Sequence, residues 1–141
     1  MFATTLATIM IGAFVIANLI RQKKNGKMFA PATQNKLFCC IFILIAGATT
    51  ANGLFHFIHG VLGYSDFPAP FAVITGGVLF TNISNIIWGL LNFAVATFIT
   101  LSYRKSVSTP VFIIFFVIGF AAIALLLRFV LLADYYQLHS F

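Results

Sequence analysis

From Phe2 to Ile20 the chain carries no charged side chain, and three more runs of this kind follow: Leu37 to Leu62, Phe71 to Tyr103 and Val111 to Ala133. Only the last holds a charge, Arg128. About 20 apolar helical residues cross the ~30 Å hydrocarbon layer of a bilayer. An isolated strand cannot, because lipid offers no partner to its backbone N–H and C=O groups. The runs therefore predict an all-α membrane protein, a four-transmembrane-helix bundle with helices over about 2–20, 37–62, 71–103 and 111–133. They form a single integral membrane domain over residues 1–141. The composition, 62% hydrophobic and 7% charged, agrees with this. A water-soluble domain carries about 25% charged residues.

The net charge of +6 is unevenly placed. Arg21, Lys23, Lys24, Lys27 and Lys36 lie in the first connection, and Arg104 and Lys105 in the third. The second, GYSDFPAPF, has no basic residue. Basic loops stay on the cytoplasmic side, so the bundle is expected to be N-out/C-out, in the plasma (inner) membrane. Such loops also contact anionic lipid headgroups. No separate basic domain exists to bind nucleic acid. In the first run the positive charges follow the apolar residues, unlike a cleavable signal. The third helix starts either near Phe71 or, after Pro68, Pro70 and the Gly76–Gly77 pair, near Val78. Cys39 and Cys40 are adjacent and form no CxxC pair, so they read as small apolar core residues.

Polar residues within membrane spans mark inward faces. The second run carries Thr49, Asn52, His56 and His59, spaced 3, 4, 3, on one helical face. The third carries Asn82, Asn85, Gly89 and Asn92 with the same spacing, and Trp88 beside them. Two such stripes on successive helices are expected to face each other. With N-out topology His56, His59, Asn82, Asn85 and Arg128 all fall in the outer half. Arg128 either snorkels to headgroups or points inward to hold an anion. The run AGATTANG (residues 46–53) is rich in small residues that let another helix approach closely.

These groups admit several chemistries. His56 and His59 could share a metal ion with His139 from the C-terminal tail, but a bare HxxH with no close third ligand is a weak motif, and no metal or other cofactor is expected. No carboxylate lies within a span for proton-coupled transport, and no GxSxG elbow marks a hydrolase. Amide, imidazole and guanidinium groups converging in an apolar wall suit a small-molecule site.

The leading expectation is therefore a polar pocket in the outer half that binds a small amphiphilic or lipid-like molecule. Its contacts are Thr49, Asn52, His56, His59, Asn82, Asn85, Trp88, Asn92 and Arg128. One alternative is an isomerase- or transferase-like membrane enzyme with a pocket histidine as acid/base. Another is a non-catalytic accessory or assembly subunit, in which the stripes only pack helices against each other, a membrane-protein partner or a second copy. The four-span layout is similar to that of the DoxX-like group of small bacterial membrane proteins, a likeness of architecture alone.

Overall fold

The computed structural model describes Ile20, residues 35–64 and residues 78–138, with side chains described for Ile20, 35–64 and 81–129. All regular structure among these residues is helical: α1 (Lys36–Leu62), α2 (Val78–Tyr103) and α3 (Thr109–Leu138). Each contains a stretch long and apolar enough to cross a membrane. The first apolar run, apart from Ile20, lies outside the described residues. So do residues 65–77, on which the choice between Phe71 and Val78 falls.

The ends of α1 follow from local chemistry. Asn35 has extended backbone, and its side chain accepts a hydrogen bond from the Leu37 N–H at 3.0 Å. This satisfies one of the orphan donors of the first turn. At the other end Gly63 takes φ 77°, the left-handed conformation that glycine adopts without steric cost, and its N–H bonds to the His59 carbonyl. Helix α3 runs beyond the expected limit at Ala133 to Leu138. No Gly or Pro interrupts it after Gly119, so its backbone has no reason to stop where the apolar run does.

Helix α1 is the central element and packs against both α2 and α3, which show no direct packing on each other among the described residues. Near the Lys36 end of α1, Cys39, Ile43 and Ala46 meet Ile99 and Tyr103 of α2, with Phe112, Phe115 and Phe116 of α3 packed around them. The rings of Phe42 and Tyr103 stack there at 4.6 Å. Cys39 and Cys40 are buried free thiols.

Glycines set both helix–helix contacts. A Cβ on Gly47 would run into the Phe116 carbonyl, and one on Gly119 into that of Leu44, so α1 and α3 cross backbone to backbone. On a different face of α1, a Cβ on Gly89 would stand 2.8 Å from the Gly53 carbonyl and 2.7 Å from Phe57 Cβ. One on Gly60 would meet the Asn82 carbonyl at 2.7 Å. Between membrane helices, where lipid is as apolar as the side chains, such close approach supplies the packing and brings polar groups within bonding reach.

Candidate functional site

The glycine contact between α1 and α2 carries the two polar stripes into one interface. His56 and Asn85 are both buried, and His56 Nδ1 lies 2.9 Å from Asn85 Oδ1. An amide oxygen only accepts, so His56 Nδ1 donates, and in the neutral ring Nε2 is the acceptor. About one turn deeper on α1 and about two on α2, Asn52 Nδ2 donates to Asn92 Oδ1 at 3.3 Å, and Asn92 Nδ2 donates to the Trp88 carbonyl at 2.8 Å. Thr49 is buried, but its hydroxyl donates back to its own helix, to the Ile45 and Ala46 carbonyls. This is a common way for a membrane helix to satisfy Thr.

The stripe changes character toward the end of α1. His59 is half-buried, whereas His56 is buried. Its Nδ1 donates to the Phe55 carbonyl at 2.9 Å, which leaves Nε2 as the acceptor of the neutral ring. Its ring lies on that of Phe55, centroids 4.0 Å apart, with the Tyr64 ring 5.7 Å away. Asn82 packs over this last turn: a Cβ on Gly60 would touch its carbonyl, and one on Gly63 would stand 3.6 Å from its Nδ2. Asn82 Oδ1 is buried and has no hydrogen-bond partner among the described residues. Leaving a buried polar atom unpaired costs about 1–3 kcal/mol, so this oxygen calls for a donor from outside the two helices.

The structure thus brings Thr49, Asn52, His56, Asn85 and Asn92 into one interlocked row, with His59 and Asn82 at its end. Trp88 is half-buried, and its backbone carbonyl accepts from Asn92 of the row. Arg128 is exposed on α3 and shares no hydrogen bond with the row among the described residues. His139 lies outside the described residues, and among these no group of three His, Cys, Asp or Glu side chains could hold a metal ion.

Sequence reasoning did not single out a second polar region, at the opposite end of the molecule. There Thr100, Arg104, Lys105 and Thr109 border a cavity of about 590 Å³ where α2 gives way to α3. The visible signal was the basic pair, read only as a marker of sidedness.

No family model matches the chain, and neither a curated protein nor a solved structure does.

Proposed function

We propose that this is an integral membrane protein that binds a small amphiphilic or lipid-like molecule at the His59 end of the α1–α2 contact. The observation that carries this reading is Asn82 Oδ1 over the last turn of α1, buried and without a hydrogen-bond partner among the described residues. Deeper members of the stripe satisfy one another, so they form the floor of the site and fix its walls. His59 Nε2 and Asn82 Oδ1 are both acceptors, so the bound head group brings donors: a hydroxyl, an amine or an amide N–H. Phe55 and Tyr64 flank the imidazole and supply apolar and aromatic surface for the body of the molecule. The test is mass spectrometry of small molecules extracted from gently purified protein. A molecule held by wild type and lost by Asn82→Leu supports the reading. No such molecule in wild type, or equal retention by wild type and Asn82→Leu, overturns it.

The bonded pair of His56 and Asn85 favours a second reading, a non-catalytic accessory or assembly subunit whose stripe only locks α1 to α2. A defined protein partner that co-purifies in mild detergent, with no small molecule present, would select it.

A further inference from the structure

At the end of the molecule opposite His59, Arg104 and Lys105 are exposed beside the cavity between α2 and α3, and the hydroxyl residues Thr100 and Thr109 border the same space. Phe112 and Ile113 make its apolar side. Thr100 and Phe112 also line a second hollow of about 460 Å³, which continues along α2 past Thr97 to Phe93 and faces Phe116 of α3. The two spaces therefore form one cleft: a cationic, hydroxyl-bearing mouth above an apolar groove. From Thr100 to Phe93 the groove rises about 10 Å along α2. It exists because, among the described residues, α2 and α3 each pack on α1 and not on each other.

Among the described side chains no carboxylate answers the charge at the mouth. The chain has only two carboxylates, Asp66 and Asp134, and neither is among the described side chains. Asp134 stands near the far end of α3. Two cations at a membrane border, with hydroxyl donors beside them and an apolar groove leading into the bilayer, match the parts of a phospholipid. Arg grips two phosphate oxygens at once, Lys adds a point charge, and Thr hydroxyls donate to the remaining oxygens. An acyl chain fills the groove below.

We propose that the cleft between α2 and α3 is a binding site for an anionic phospholipid of the leaflet on the Arg104 side, with its phosphate at Arg104, Lys105, Thr100 and Thr109 and one acyl chain against Phe93, Thr97 and Phe116. The site is independent of the one at His59 and stands whether or not that one is occupied.

The full chain reconstituted in nanodiscs with equal amounts of phosphatidylglycerol and phosphatidylcholine, then released into native mass spectrometry, tests it. Wild type retains phosphatidylglycerol in preference to phosphatidylcholine. Arg104→Gln and Lys105→Gln each lower that retention about fivefold. Thr97→Trp, at an exposed position in the groove, lowers it with every charge in place. Lys36→Gln, which removes an exposed cation outside the cleft, leaves it unchanged. The proposal is overturned if Lys36→Gln costs as much as Arg104→Gln, since retention then follows diffuse surface charge. It is equally overturned if Thr97→Trp has no effect or if inorganic phosphate displaces the lipid, since the cleft then holds an anion and no acyl chain.

Discussion

His56 Nδ1 and Asn85 Oδ1 stand 2.9 Å apart between α1 and α2, both side chains buried beside the glycine contact that joins the helices. The bond depends on Gly53 and Gly89, because their missing Cβ atoms allow the backbones to approach.

The pair is expected to be energetically coupled. His56→Leu and Asn85→Leu each take this bond from a buried polar partner and cost about 1–3 kcal/mol. The double variant costs less than the sum, with a coupling of about 0.6–2 kcal/mol. Equilibrium unfolding in bicelles by added sodium dodecyl sulfate measures all three. Additive costs would show that the bond contributes nothing in the membrane.

Asparagines of the same stripe are expected to differ. Asn92 donates to the Trp88 carbonyl and accepts from Asn52, so Asn92→Leu costs about 1–2 kcal/mol. Asn82 Oδ1 has no partner among the described residues, so Asn82→Leu stays within about 0.5 kcal/mol of wild type or is stabilising. The same unfolding measurement, on protein stripped of small molecules, ranks them. A reversed order would mean that Asn82 is held by the protein itself.

This difference marks where the sequence stops informing. The 3, 4, 3 spacing of Thr49 through His59 and of Asn82 through Asn92 tells which faces meet, because helical periodicity puts such positions in one row. It does not tell which side chain closes on which. His56 read as the deeper of the two histidines and as a pocket contact, and in the structure it is bonded to Asn85, while an unpaired oxygen among the described residues appears at Asn82. The small-residue run at residues 46–53 gave close approach to a helix, yet Gly47 docks on α3 and Gly53 on α2. They lie on different faces of α1, and no polar residue near Gly119 announces the first contact. Arg128 carried a charge that admitted both an inward and an outward position, and the structure shows its side chain exposed on α3.

Gly119 is expected to be the most sensitive position of α3. Any side chain there meets the Leu44 carbonyl, and backbone cannot yield as a flexible side chain can. Gly119→Val is expected to cost about 1–3 kcal/mol and to loosen α3 from α1 while the α1–α2 contact stays intact. Cysteine cross-linking across each contact reads this out. Unchanged α1–α3 cross-linking in Gly119→Val would contradict the crossing described.

His59→Phe separates a stacking role from a hydrogen-bonding one. The ring contact with Phe55 survives the change, and the bond to the Phe55 carbonyl and the acceptor Nε2 do not. Stability is expected to fall by about 1 kcal/mol, and retention of a donor-bearing amphiphile to fall more steeply than that. Equal retention by wild type and His59→Phe would remove the imidazole from the site.

The account turns on what answers Asn82 Oδ1. A structure of the protein taken from its own membrane into nanodiscs without detergent tests this most directly. The account predicts non-protein density within hydrogen-bond distance of Asn82 Oδ1, extending along Tyr64 and Phe55 as an apolar body. An Asn82 amide bonded to another part of the chain, with no such density, would contradict it.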